Sequence, residues 1–316
     1  MTTAHLDLRE RPNSGCLGCD RMARKEFLEN GLCKQTQSVL DQLPVRCVGG
    51  WAYDKIYRLV QYFGIFASGM KNQWQGLNYI EICSGPGRCI IRDKRLEIDG
   101  TALSIITHPV FPQLKKALFV DANVYVVNAL NNRIAAAGAT ATAQAVLGDY
   151  TDLPNLQRLL AKLPLNCLNL VFIDPTECDL PFATVQAIGR QLKNADLLIN
   201  VAIGTDATRN LGFAILDPGF GKAKSKYEAF LGSPGFCSRA ETVSLAKVGA
   251  NDDLRRLFMA EYSKKLASEG YIFTDARPVE HYYQLLFASR SPKGLEFWHK
   301  ACRIEPNNQR LLALIF

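Results

Sequence analysis

The stretch Tyr79-Ile-Glu-Ile-Cys-Ser-Gly-Pro-Gly-Arg88 decides the fold. Leu77–Cys83 is an apolar run ending on a turn with two glycines, which reads as a strand leaving a sheet. In open parallel sheets, ligands bind where the carboxyl ends of the strands meet the following loops. Gly85 and Gly87 let the backbone approach a ligand closely, and Pro86 stiffens the loop between them. Glu81 near the strand's end can accept a hydrogen bond from an ammonium group. Position 90 is Ile, so the dinucleotide pattern G-x-G-x-x-G is broken and a pyrophosphate site is disfavoured. A tight glycine turn with no ligand is the plain alternative.

Upstream, Trp51–Phe66 sets Ile56, Leu59, Val60 and Phe63 at helical spacing. Downstream, strand-like runs recur at Lys116–Asp121, Ala143–Gly148, Leu168–Asp174 and Asp196–Val201. Helical patterns at Val124–Ala137, Asn155–Leu163 and Phe182–Leu192 lie between them. Such alternation predicts an α/β fold, a parallel sheet covered on both faces. Gly270–Phe273 and Tyr282–Ser289 add two strands as a terminal hairpin, for seven in all in a mostly parallel sheet. The Gly-, Ser-, Lys- and Pro-containing segment 212–253 reads as an insertion or a small helical cap.

The strand ends carry carboxylates. Asp121 can take both hydroxyls of a ribose, or it can cap the next helix. Asp149 can accept from an adenine amino group with Tyr150 beside the ring, although Gly148-Asp149 is also an ordinary turn. Asp174 and the Pro175 carbonyl can face a substrate amine and draw off its proton, with Glu177 as a second base. An Asp-Pro pair is equally a favoured turn start.

The chain has 316 residues, 48% hydrophobic and 21% charged, which allows a well-packed core. No apolar run reaches membrane-spanning length, and the N-terminus lacks a signal-like stretch, so a cytoplasmic protein is expected. The net charge of +7, with clusters such as Arg21–Lys25 and Lys222–Lys226, suits a nucleic-acid partner or a solvated surface. The apolar Leu311–Phe316 is expected to pack on the fold or against a partner.

Ten cysteines are many for such a chain. Six of them (Cys83, Cys89, Cys167, Cys178, Cys237, Cys302) sit in apolar surroundings or near element ends, and most read as small buried hydrophobes. Cys16-x-x-Cys19, Cys33 and Cys47 follow at intervals of 3, 14 and 14 residues. A Cys-x-x-Cys hook and two later thiols can complete a tetrahedral zinc site, which would organise residues 1–48. An iron–sulfur cluster uses the same ligands, and unrelated thiols are the alternative.

From Trp51 onward the chain resembles a three-Cys-motif partner protein, a family within the class I S-adenosylmethionine-dependent methyltransferases. The matching residues are Trp51-x-x-x-Lys55, Ile80–Arg88, Asp99-Gly-Thr-Ala102, Ile173-Asp-Pro175, Phe230-Leu-Gly232 and Tyr282–Ser289, the last followed by Gly294 and Trp298. The resemblance implies a Rossmann-like class I methyltransferase fold over 49–316, joined to the Cys-rich metal-binding extension. It implies that Glu81, Ser84, Gly85 and Gly87 line the methionine end of S-adenosylmethionine. Asp121 and Asp149 would hold ribose and adenine, and Trp51 and Lys55 would pack over the cofactor. The chain departs from the family in two places. Glu81 stands where the family usually has Asp, and Thr176-Glu177 replaces an aromatic and a glycine, removing the ring that would stack on a flipped base.

The expected function is S-adenosylmethionine-dependent methyl transfer to nucleic acid, RNA favoured over DNA. Two alternatives stay open: a cofactor-binding protein that serves a protein partner, and transfer of a group other than methyl.

Overall fold

A computed structural model describes residues 8–303; His5 and the Leu311–Phe316 tail fall outside that range. The chain divides into two compact units. One comprises Met1–Gly148, Pro164–Leu170 and Glu296–Phe316, and the other Asp149–Leu163 and Val171–Leu295.

The first unit opens with short elements: β1 (Arg11–Pro12), α1 (Arg21–Phe27), β2 (Leu28–Glu29), β3 (Leu32–Cys33) and β4 (Arg46–Val48). Asp20 starts α1 by accepting the amides of Met22 and Ala23, both at 2.9 Å. Asn30 and Gly31 both take positive φ, so β2 and β3 close as a two-residue hairpin. Helix α2 (Ala52–Met70) buries Ile56, Leu59, Val60, Phe63 and Phe66 on the face its periodicity predicts. Strand β5 (Leu77–Ile82) is buried at every position, as a central parallel strand must be.

After the glycine loop the chain makes an antiparallel hairpin, β6 (Arg88–Ile91) and β7 (Leu96–Asp99), before α3 (Thr101–Ile106) begins. The hairpin and α3 together occupy most of the interval between the glycine loop and the next strand of the larger sheet. The remaining elements are β8 (Leu114–Asp121), α4 (Val124–Ala136) and β9 (Ala143–Leu147).

A six-stranded sheet in the order β1-β7-β6-β4-β3-β2 takes strands from both sides of residue 48. Strand β4 runs parallel to β6, pairing Arg46 with Cys89 and Cys47 with Ile90. Buried polar groups fasten it. Glu97, fully buried, accepts from Ser38 Oγ at 2.5 Å and from the Val39 amide at 2.9 Å. Arg133 of α4, 3% exposed, forks onto Asp41 with two 2.8 Å bonds and also donates to the carbonyls of Pro44 and Pro86. One guanidinium thereby ties the Cys-rich segment to the glycine loop.

The second unit holds α5 (Leu153–Leu160), most of β10 (Leu168–Ile173), α6 (Phe182–Gln191) and β11 (Ala195–Val201). Segment 212–253 is helical: α7 (Thr208–Leu216), α8 (Gly221–Leu231), α9 (Ala240–Lys247) and the start of α10 (Asn251–Ser268). Phe230 stacks on Phe258 and Tyr262 at the centre of these helices. An antiparallel hairpin follows, β12 (Phe273–Val279) and β13 (Tyr283–Ser289), and then α11 (Pro292–Ala301). Strand β12 begins where the expected 270–273 strand ends. Residues 270–272 finish the turn after α10, with Gly270 at φ +88°.

The larger sheet has seven strands, as expected, in the order β12-β13-β11-β10-β5-β8-β9. Strands β5, β8 and β9 run parallel, and β13 lies antiparallel to both β11 and β12. The fold is α/β with a mixed sheet. Among the described residues, no helix is long and apolar enough to cross a membrane.

Candidate functional site

Strand order runs away from β5 in both directions, which makes its carboxyl end the topological switch point. The loop there has alternating left-handed residues: Cys83 at φ +65°, Gly85 at +65° and Gly87 at +93°. For Cys83 that conformation costs roughly 1 kcal/mol. The amides of Cys83 and Ser84 both donate to the Val120 carbonyl, which supports the bend. Gly87 has no alternative, because a Cβ there would stand 3.0 Å from Leu130 and 3.1 Å from Leu103.

Asp121 braces this loop from β8. One carboxylate oxygen accepts the Gly85 amide and the other the Asn123 amide, both at 3.0 Å. Glu81 is fully buried and accepts from the Tyr79 hydroxyl at 2.8 Å and from the Thr101 hydroxyl. The Gly100 amide donates to the Gly87 carbonyl at 2.8 Å, so α3 starts against the loop despite the intervening hairpin. Ser84 is 5% exposed, and its hydroxyl has no hydrogen-bond partner among the described residues. A buried hydroxyl without a partner is unfavourable unless a ligand supplies one.

Trp51 and Lys55 pair with each other, the ammonium 5.1 Å from the ring centroid. The indole lies against Gly49, where a Cβ would come within 2.8 Å of it. The structure thus gathers Glu81, Ser84, Gly85, Gly87 and Asp121 into one constellation, joined by Thr101, which lies in the Asp99–Ala102 motif but had no role read for it, and by Arg133, which the sequence pattern does not reveal. An arginine in the last turn of a helix reads as an ordinary cation at a helix C-terminus and gives no signal of a distant partner.

The four N-terminal cysteines line a single cavity with Arg24 and Arg92 in its wall. Burial raises the Cys16 and Cys47 thiols above their ordinary range; neighbouring Cys33 adds to both shifts, and Arg92 opposes the rise at Cys47. Four soft donors beside two arginines suit a dianionic tetrathiolate centre in chemistry. The sulfurs are not drawn together, however. Among the described residues, no group of three or more His, Cys, Asp or Glu side chains has metal-holding geometry.

In the second unit, Asp149 is exposed and accepts from the Thr151 amide and hydroxyl, both at 2.7 Å. The Tyr150 hydroxyl donates to Asp179 at 3.0 Å. Burial, reinforced by Glu177, raises the Asp179 carboxyl above the usual range against the pull of Tyr150. Asp174 accepts from Asn200 Nδ2 at 2.8 Å. Glu177 is exposed and ion-paired to Lys226 at 3.1 Å. Lys226 also reaches Asp206 at 2.7 Å, and Asp206 further accepts from Tyr227, Asn210 and the Cys178 amide. Asn200 did carry a signal, as the lone amide inside the apolar run Leu197–Val201.

No family model matches the chain, and no curated protein matches it. Several solved structures are similar to it. One is an O-methyltransferase family protein from Burkholderia thailandensis, 12% identical, with a TM-score of 0.38; the match covers 75% of this chain and 55% of that one. Another is the O-methyltransferase TomG from Streptomyces achromogenes, solved in complex with SAM: 16% identical, TM-score 0.37, covering 74% and 78% of the two chains. A third is the O-methyltransferase from Bacillus cereus, solved with SAH: 11% identical, TM-score 0.38, covering 77% and 81%. The chain therefore spans about half the length of the Burkholderia protein. Likeness at these scores is partial, and the function proposed below does not rest on it.

Proposed function

We propose that the chain is an S-adenosylmethionine-dependent methyltransferase acting on nucleic acid, RNA favoured over DNA. The observation that carries this reading is the loop at the carboxyl end of β5. It is bent through three left-handed residues, pinned by Asp121 and presents a buried, unpartnered Ser84 hydroxyl. Gly85 and Gly87 bring main chain to the ligand, and Asp121 retains lone pairs for a ribose. Glu81 acts from beneath the loop. Its carboxylate is engaged with Tyr79 and Thr101, so we assign it to positioning α3 against the ligand's ammonium end. Trp51 and Lys55 remain assigned to cofactor packing, and Asp149 and Tyr150 to the adenine.

When bound, the cofactor supplies a methyl group on a sulfonium sulfur. Asp174, oriented by Asn200, accepts the proton released as the acceptor amine attacks that carbon, and the Pro175 carbonyl positions the amine. Glu177, already paired with Lys226, is the weaker choice of base. The four cysteines Cys16, Cys19, Cys33 and Cys47 would hold one zinc ion or an iron–sulfur cluster. The exposed Arg21 and Lys25 of α1 and the net charge of +7 suit a phosphate backbone.

The test is transfer of labelled methyl from S-adenosylmethionine to total RNA. Wild type should label RNA, and Asp174→Asn should lower the rate by about 100-fold or more, the contribution typical of a positioned proton acceptor. The Glu177–Lys226 pair favours a second reading, a cofactor-binding protein without transfer that serves a protein partner. Cofactor binding with no labelling of RNA, DNA or protein would select it. A cofactor remnant other than S-adenosylhomocysteine would select transfer of another group.

A further inference from the structure

Arg46 of β4 lies beside the glycine loop. Its backbone is locked at the middle of three strands, paired with Leu32 of β3 and Cys89 of β6. Side chains alternate along a strand. Val45 packs with Cys16 and Ile90, and Cys47 lines the cysteine cavity, so Arg46 projects to the opposite face. There the guanidinium lies between two glycines. A Cβ on Gly31 would stand 3.2 Å from Nε, and a Cβ on Gly85 would stand 3.6 Å from Nη1. Arg46 is half-buried, yet among the described residues its side chain makes no hydrogen bond or ion pair. Every other arginine placed near this loop has an acid: Arg88 has Asp99, and Arg133 has Asp41.

We infer that Arg46 is a binding residue for the α-carboxylate of S-adenosylmethionine, delivered to the glycine loop by the Cys-rich segment. This rests on the cofactor reading above. A planar guanidinium offers the paired donors that a carboxylate takes best. Gly85 leaves the approach open, and the neighbouring Ser84 hydroxyl, buried and unpartnered, adds a donor on the same loop. A partly desolvated cation and an unsatisfied hydroxyl are both relieved by one anionic, hydrogen-bond-accepting group.

5′-Methylthioadenosine keeps the adenosine and a neutral thioether sulfur but lacks the whole aminocarboxypropyl arm, so titration calorimetry with both ligands separates contacts to that arm from contacts to the nucleoside. Wild type binds both. Arg46→Ala should weaken S-adenosylmethionine by about 10- to 100-fold, the loss expected for a charge-assisted pair, while binding of 5′-methylthioadenosine is unchanged, which also reports an intact loop. Arg46→Lys should recover part of the difference as a point charge. Equal binding of S-adenosylmethionine by wild type and Arg46→Ala overturns the assignment, and so does a parallel loss of both ligands. Wild type that binds neither ligand removes the cofactor reading itself.

Discussion

At the scale of single residues, hydrogen bonds from charged side chains brace the glycine loop, Asp121 taking the Gly85 amide and Arg133 the Pro86 carbonyl, and Arg133 is itself anchored on Asp41. Burial alone would raise the Asp41 carboxyl, but the hydrogen bonds and charge of Arg133 outweigh it and hold the group at about 2. A depressed carboxyl contributes stability that is present above its unfolded value and is lost as pH falls through the folded one. Asp41 therefore contributes about 2 kcal/mol at neutral pH, lost between roughly pH 5 and pH 2. Urea unfolding of wild type and Asp41→Asn should show a stability gap of that size at pH 7, and the gap should close towards pH 2. A gap independent of pH would assign the effect to packing instead. Glu81 gives a second lesson at this scale. Its position at a strand's end was legible, but its engagement with Tyr79 and Thr101 depends on a helix start that returns to the loop only in three dimensions.

At the scale of elements, the long buried strands were readable and the short polar ones were not. Leu77–Ile82, Leu168–Ile173 and Ala195–Val201 are apolar enough to stand out as runs. The β6–β7 hairpin hides because Arg88, Glu97 and Asp99 are buried by pairing with each other and with Asp41, and hydropathy reads such residues as surface. The hairpin at Asn30-Gly31 went unread because its flanking strands, two residues each, are too short to show alternation. Strand β12 escaped for another reason: it is an edge strand with Asp275 and Arg277 paired at 2.9 Å and Pro278 near its end. Cys33 and Cys47 sit on the short strands β3 and β4, and Cys16 and Cys19 on the irregular stretch before α1; such segments bury little apolar surface, so a bound metal should stabilise them disproportionately. Elemental analysis should find one zinc per chain, or iron with sulfide. Chelation should lower the thermal midpoint, and Cys16→Ser, which lacks a ligand, should not respond to chelator. Metal-free protein with an unchanged midpoint would remove the site.

At the scale of the whole molecule, the α/β class and the seven-strand count followed from the alternation of runs. The terminal hairpin was legible too, although its first strand lies at Phe273–Val279 rather than at 270–273. The sequence marked the loop residues by type, because glycines and strand-end carboxylates are visible in one dimension. It did not mark what braces them: Arg133 acts on Pro86 across 47 residues and Asn200 on Asp174 across 26, and nothing local records such pairs. The central claim is that the Ser84–Gly87 loop braced by Asp121 binds S-adenosylmethionine, and titration calorimetry tests it most directly. Wild type should bind with a single site. Asp121→Ala, which frees the Gly85 amide and removes the ribose acceptor, should weaken binding by about 10-fold or more. Equal affinity in the two proteins, or no binding by wild type, would contradict the account.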